Sequence, residues 1–155
     1  MLEFLGKVKQ GMKGLVLDLR DNGGGLLDAV VEMLDYILPA GMIVYTEDKY
    51  GNREEYKGTN KDVLELPMTV LVNGNSASAS EIFAAALQDY KAATVIGTTT
   101  FGKGIVQTVL PLTDGTAVKI TISRYFTPNG VWKKIAMCVI ISLDDLTGKS
   151  CKLLL

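Results

Sequence analysis

The octapeptide GTTTFGKG at residues 97–104 nearly matches a phosphate-binding loop, since Gly97, Gly102 and Lys103 have the spacing of that motif. Gly104 occupies the position where the motif has the serine or threonine that binds Mg²⁺. The motif also needs a helix after the loop, whereas the next residues, IVQTVLPL, are β-branched and contain a proline. Three hypotheses therefore stand for Lys103: a nucleotide site at Gly97–Lys103, a lysine base, or a surface lysine in a glycine turn.

The complete absence of histidine limits the chemistry of this 155-residue chain. A Ser-His-Asp or Cys-His mechanism within the chain is excluded, and so are histidine-based zinc sites. A hydrolase of this composition must take its base from lysine, aspartate, glutamate or a terminal amine. A lysine serves as a base when apolar burial or nearby positive charge lowers its pKa. The apolar residues and glycines of TFGKGIV are compatible with such surroundings.

A serine-rich segment upstream, VNGNSASASEIFAAAL at residues 72–87, predicts a buried strand, a tight turn and a helix. This layout can present a nucleophile at a helix N-terminus, where the next backbone N–H can stabilise an oxyanion. Ser78 and Glu81 also match a capping box, in which they satisfy the first N–H groups of the helix. From the residues alone, Ser78 is either a nucleophile or a helix cap.

The hydrophobic pattern along the chain predicts an α/β domain. Strands alternate with helices, which indicates a largely parallel central sheet with flanking helices, and two hairpins make that sheet mixed. The predicted elements are strands at 14–20, 68–73 and 93–97, helices at 26–38 and 76–90, and hairpins at 42–48/53–58 and 105–112/116–126.

The charge balance and the cysteines exclude or leave open several classes of function. The net charge of −1 provides no basic surface for nucleic acid or an anionic membrane. No apolar run approaches 18 residues, and no signal peptide is evident. Cys138 and Cys151 fit no metal-binding spacing, and the sequence leaves their redox state open.

Four segments in order resemble the carboxyl-terminal processing peptidases, the tail-specific serine proteases with a Ser-Lys dyad. These segments are LVLDLRDNGGGLL (15–27), VNGNSASASEI (72–82), GTTTFGKGIVQT (97–108) and RYFTPNG (124–130). The resemblance implies an α/β fold similar to the ClpP/crotonase-like core of tail-specific proteases. It also implies hydrolysis of polypeptides bound in extended form, without metal or cofactor, outside the cytoplasm.

The resemblance also implies roles for individual residues. Ser78 lies where the family has its nucleophile, and Lys103, 25 positions later, lies where the family has its base. Gln107 matches a residue that helps to position that lysine. Glu81 lies where some members have an acidic residue that supports the site, and the capping interpretation of this carboxylate remains equally open.

The oxyanion hole implied by the resemblance combines the backbone N–H groups of Gly24 and Ala79. The same NGGG segment also fits a flexible turn that enters a helix, and the two interpretations are compatible. Gly23 departs from the family, which commonly has proline at this position, and this change is expected to loosen the loop that carries Gly24.

The match to the family predicts a peptidase core at residues 1–132, truncated on its N-terminal side and without the PDZ domain that usually precedes it. Residues 133–155 do not follow the family pattern and form a divergent tail. An alternative to an active peptidase is therefore an inactive fragment that at most binds extended peptides. The sequence predicts neither the oligomeric state nor the substrate sequence preference.

Overall fold

A computed structural model describes residues 11–59 and 63–131 of the chain. The predicted tail at 133–155, with Cys138 and Cys151, lies outside these residues. The elements are β1 (Leu15–Asp18), α1 (Leu27–Asp35), β2 (Gly41–Asp48), β3 (Arg53–Gly58), β4 (Met68–Val72), α2 (Ala79–Asp89), β5 (Thr94–Gly97), β6 (Ile105–Pro111) and β7 (Ala117–Phe126). Their order confirms the predicted alternation of strands and helices and both predicted hairpins.

Three short strands form a parallel sheet in the order β1-β4-β5, and the central strand β4 is the most buried of them. Leu17 is opposite Val70, which is opposite Val95 on the other side. Met68, Val70 and Val72 of β4 are buried, whereas Val16 and Asp18 of β1 are exposed. Because all three run in one direction, the segments that follow β1, β4 and β5 leave the sheet at one edge, where ligand sites of open α/β sheets lie.

The four hairpin strands form a separate antiparallel sheet in the order β3-β2-β7-β6. The two hairpins are joined by pairing between β2 and β7, which brings Thr46 opposite Tyr125. The β6–β7 ladder contains a register shift between Val106 and Gln107. The α/β class with parallel and antiparallel strands is confirmed, and the structure divides these strands between two sheets. The connections explain this division. Tight turns pair the strands of each hairpin with each other, whereas the parallel strands are joined by longer connections that contain helices.

Helix α2 is the central helix of the core. Its residues from Ala79 to Leu87 are all buried, and the run Ala84–Ala86 lets neighbouring elements approach closely. Leu34 on α1 and Leu38 after it are fully buried in the same cluster as Val70 of the parallel sheet. Burial of each such large side chain contributes about 1.5–3 kcal/mol. Neither helix in the described residues is long and apolar enough to cross a membrane.

Candidate active site

Ser78 lies between strand β4 and helix α2, at the N-cap of the helix, as the sequence predicts. Its backbone has φ 58° and ψ −120°, a region that non-glycine residues rarely occupy. Such a conformation costs about 1–3 kcal/mol and persists only where surrounding contacts hold it. The strained turn therefore requires a supporting network, and that network is visible on both sides of Ser78.

The first support is Ser76, whose side chain is fully buried. Its hydroxyl donates to the carbonyl of Leu19 at 2.6 Å and accepts the N–H of Asn73 at 3.0 Å. The N–H of Ala77 donates to the carbonyl of Asn22 at 3.1 Å. These bonds fasten the turn before Ser78 to the loop that follows β1.

A second support is formed by Asp21 and two asparagines. The Asp21 carboxylate accepts the side-chain amides of Asn75 at 2.7 Å and Asn73 at 3.0 Å. These hydrogen bonds, that from Asn75 first, lower the pKa of Asp21. The backbone N–H of Asp21 in turn donates to the side-chain oxygen of Asn73 at 3.0 Å. The loop after β1 and the turn after β4 are thus bonded to each other in both directions.

Gly24 lies directly against the start of helix α2. It has φ +92°, and a Cβ added to it would lie 2.5 Å from the carbonyl oxygen of Ala77 and 2.7 Å from the nitrogen of Ala79. Only glycine fits this position without a clash. Ala79 is the first residue of α2, and the first N–H groups of a helix have no acceptor within it. The N–H of Gly24 donates to the side-chain oxygen of Asn22 at 2.9 Å.

Glu81 lies beneath the turn and is almost completely buried, with 1% exposure. Its Oε2 accepts the backbone N–H groups of Ser78 and Lys103, both at 2.9 Å. Its Oε1 accepts the N–H of Gly102 and the hydroxyl of Thr100, both at 2.7 Å. A buried carboxylate is costly unless it is hydrogen-bonded, and these four donors supply that compensation. Glu81 thereby fixes the Lys103 loop relative to Ser78.

Tyr125 of β7 adds a contact from the antiparallel sheet. Its hydroxyl donates to Oε2 of Glu81 at 3.4 Å, and its backbone N–H donates to the carbonyl of Gly104 at 3.3 Å. Burial, and after it the negative charge of Glu81, raises the pKa of Tyr125 far above its usual value. The two sheets are thus connected directly at the candidate site.

Ser78 and Lys103 line one cavity of about 310 Å³. Its walls include aliphatic side chains from three elements, such as Leu27, Ile82 and Ile105. In the part of the chain that the structure describes, no hydrogen bond joins the Ser78 hydroxyl to the Lys103 ammonium. The two side chains therefore share a cavity without direct hydrogen-bond contact in this structure.

The other predicted residues lie at or beside the cavity. Gln107 lines it and its side-chain amide donates to the hydroxyl of Thr121 at 3.4 Å, while no hydrogen bond joins Gln107 to the Lys103 side chain in the described residues. Ala79 also lines it, and Gly24 borders an adjacent groove that shares Ala79. The loop after β5 leads into strand β6, so the helix that a phosphate-binding loop requires is absent from residues 98–111.

Sequence reasoning missed three residues that complete the site: Thr100, Tyr125 and Asn22. Thr100 and Tyr125 belong to the segments GTTTFGKG and RYFTPNG, so the motifs contained them without indicating that both face Glu81. Asn22 is the first residue of the NGGG segment, which indicates only a turn. The direction of its side chain, toward the N–H of Gly24, depends on the folded loop.

Comparisons with known proteins agree with the geometry. The model of peptidase family S41 matches residues 1–137. A carboxyl-terminal-processing protease of Synechocystis sp. is 44% identical over 120 residues, which are 77% of this chain and 28% of that protein. The chloroplastic C-terminal processing peptidase of Tetradesmus obliquus is 44% identical over 138 residues, or 88% of this chain and 30% of that protein.

A solved structure gives the same result for the fold. The photosystem II D1 C-terminal processing protease superimposes with a TM-score of 0.79 at 44% identity, covering 90% of this chain and 37% of that one. The chain thus spans less than a third of the length of these curated relatives.

Proposed function

Because the chain belongs to peptidase family S41, and within it to the C-terminal processing peptidases, we propose that it is a serine endopeptidase core that cleaves proteins near their C-termini. The family is one of serine proteases, which supports the general reaction. The observation that carries the proposal is the position of Ser78 and Lys103 on one cavity, with both backbones bonded to Glu81.

In the proposed mechanism, the neutral amine of Lys103 takes the proton of the Ser78 hydroxyl. Ser78 Oγ then attacks the scissile carbonyl, and the N–H groups of Gly24 and Ala79 stabilise the resulting oxyanion. The C–N bond breaks as the Lys103 ammonium returns the proton to the leaving amine. Water, deprotonated by Lys103, then attacks the acyl-enzyme, the ester C–O bond breaks, and the Lys103 ammonium gives its proton to Ser78 Oγ as the new C-terminus leaves.

Glu81 acts in this proposal as a positioning residue rather than as a proton carrier. One oxygen of its carboxylate accepts the backbone N–H of Gly102, and the other accepts the backbone N–H groups of Ser78 and Lys103. Loss of the carboxylate would release the Lys103 loop and the strained N-cap together. Gln107 supports the site from strand β6, where it lines the wall of the cavity beside Lys103.

The substrates are proposed to be polypeptides in extended form. Strand β6 begins at Ile105, two residues after Lys103, and lies at one edge of the antiparallel sheet. An edge strand offers unpaired backbone groups to which an extended peptide can add as a further strand. Such a peptide would run past Lys103. By resemblance to the family, this reaction takes place outside the cytoplasm.

The experiment that tests the proposal is cleavage of an unstructured peptide, followed by mass spectrometry. The protein should cleave the peptide, and Ser78→Ala should abolish cleavage. Ser80→Ala is the matched control, because this hydroxyl lies two positions away and its buried oxygen has no hydrogen-bond partner among the described residues. Cleavage that persists in Ser78→Ala, or is lost equally in Ser80→Ala, would contradict the role of Ser78.

A second candidate function is peptide binding without cleavage. It is favoured by the absence of a hydrogen bond between the Ser78 and Lys103 side chains in the described residues. In that case the protein and Ser78→Ala would bind an extended peptide equally in a fluorescence titration, and neither would cleave it.

A further inference from the structure

The N–H group of Gly24, one of the two proposed oxyanion donors, has an acceptor in this structure. The side-chain oxygen of Asn22 accepts it at 2.9 Å. We propose that Asn22 is a positioning residue whose amide oxygen holds the N–H of Gly24, one of the two proposed oxyanion donors, in the resting site and releases it to the substrate. This inference rests on the proposed function and assigns a role to a residue that the mechanism above does not use.

The geometry places Asn22 at the right point for such an exchange. A Cβ on Gly24 would lie 2.7 Å from the nitrogen of Ala79, so the backbone of residue 24 lies against the other proposed donor. Asn22 and Gly24 are both exposed, so a substrate can reach this bond from solvent.

The backbone of Asn22 is held by hydrogen bonds that its side chain does not make. Its N–H donates to the carbonyl of Leu19 at 3.3 Å, and its carbonyl accepts the N–H of Ala77 at 3.1 Å. Its side-chain oxygen makes the bond to Gly24. A rotation about χ1 therefore releases the N–H of Gly24 without moving the loop away from the turn that carries Ser78.

The chemistry of the acceptor favours the exchange. An amide oxygen is neutral, and hydrogen bonds to an ionised acceptor are about twice as strong as those to a neutral one. The oxyanion that forms during attack therefore displaces the amide of Asn22. A carboxylate at position 22 would hold the N–H as strongly as the oxyanion does and would also repel it. The proposal thus requires an uncharged side chain at residue 22.

Two substitutions separate this role from a purely structural one. Aspartate and asparagine both form the turn in which a side-chain oxygen accepts the N–H two residues later. If Asn22 only shapes the loop, Asn22→Ala should label more slowly than the parent, whereas Asn22→Asp keeps the turn and is slowed only by its charge. If Asn22 releases the N–H of Gly24 to the substrate, Asn22→Ala should label at about the parent rate, because alanine leaves this N–H free, and Asn22→Asp should be the slower variant, because its carboxylate holds the N–H.

The measurement is the rate of labelling by a fluorophosphonate, whose phosphoryl oxygen needs the oxyanion hole during attack. Ser78 Oγ forms a bond to phosphorus, the phosphorus–fluorine bond breaks, fluoride leaves, and Lys103 takes the hydroxyl proton. Asn22→Asp should label about tenfold more slowly or worse. This is a smaller loss than complete removal of one oxyanion donor causes, because the N–H of Gly24 is blocked but still present. Asn22→Ala should stay within about threefold of the parent, since the donor itself remains.

A second control separates a local effect at residue 22 from a general effect of one added negative charge. Gln88→Glu adds the same charge at the exposed far end of α2 and should label at the parent rate.

The outcomes also distinguish this inference from the proposed function. A parent that does not label at Ser78 overturns both. If the parent labels and Ser78→Ala does not, the peptidase proposal stands and the two Asn22 variants decide the rest. Asn22→Asp at the parent rate, or Asn22→Ala slower than Asn22→Asp, overturns the role of Asn22. Thermal unfolding of each variant confirms that the labelled protein is folded.

Discussion

The buried carboxylate of Glu81 accepts the backbone N–H of Lys103 at 2.9 Å. The same oxygen accepts the backbone N–H of Ser78, also at 2.9 Å. Two segments that lie 25 positions apart in the chain, at 78 and 103, are therefore held by one atom. The relative position of the two proposed catalytic residues depends on this carboxylate more than on direct contact between their side chains.

Replacing Glu81 with glutamine should destabilise the protein and reduce cleavage. The amide group that replaces one oxygen would face N–H or O–H donors, and a buried unsatisfied group costs about 1–3 kcal/mol. Urea unfolding measures the loss, and peptide cleavage measures the displacement of the Lys103 loop. The exposed Glu65→Gln is the matched control and should change neither quantity. Parent-like stability and cleavage in Glu81→Gln would refute the positioning role.

Two buried serines near the site should respond differently to alanine. Ser76→Ala removes one hydroxyl that bonds both Leu19 and Asn73, which should cost about 1–3 kcal/mol because both partners lose a buried bond. Ser80→Ala removes a buried hydroxyl without a partner in the described residues and should be neutral or slightly stabilising. Denaturant unfolding of the two variants gives the comparison, and equal losses would show that the Ser76 bonds contribute little.

Gly24→Ala should severely impair the site. The new Cβ would meet the carbonyl oxygen of Ala77 and the nitrogen of Ala79, and φ +92° adds about 1–3 kcal/mol of strain. Fluorophosphonate labelling should fall with stability. Gly23→Ala is the control, since its Cβ would meet nothing within 4 Å and no positive φ opposes it. If both variants label at the parent rate, the close approach of Gly24 to α2 is not needed.

Tyr125 should make stability depend on pH in the alkaline range. Burial and the Glu81 carboxylate raise its pKa above the usual value of 10.0. The folded state therefore keeps the proton where the unfolded state loses it, so the contribution is complete below pH 10 and is lost as the pH rises further. The parent should lose about 1 kcal/mol more than Tyr125→Phe between pH 10 and 11.

Urea unfolding at pH 8, 10 and 11 measures this difference. Tyr50→Phe, a change at a tyrosine with 77% exposure, is the control and should follow the parent. Identical pH profiles for the parent and Tyr125→Phe would show that burial does not raise the pKa of the Tyr125 hydroxyl.

The order of elements was predictable because apolar residues alternate or recur at strand and helix spacing, as in LVLD of β1 and the alanine-rich α2. The pairing of β2 with β7, and hence the division into two sheets, was not predictable. Those strands are far apart in the chain, and local patterns carry no information about which edges meet.

The candidate site was predictable to a similar extent. Ser78 and Lys103 stood out because the chain has no histidine and because both lie in motifs. The full set of donors to Glu81 could not be predicted, since three of them are backbone N–H groups, which every residue except proline possesses. The bond from the Gly24 N–H to Asn22 was not predictable either, since its donor is also a backbone N–H and the direction of the Asn22 side chain depends on the folded loop.

The most direct test of the account is a double-mutant cycle on kcat/KM for peptide cleavage with Ser78→Ala and Lys103→Met. Residues that act as one catalytic unit have strongly non-additive effects. Each single change should lower kcat/KM by about a thousandfold or more, and the double variant should be no slower than either. Independent losses that multiply in the double variant, or cleavage that survives Lys103→Met, would contradict a Ser78/Lys103 dyad.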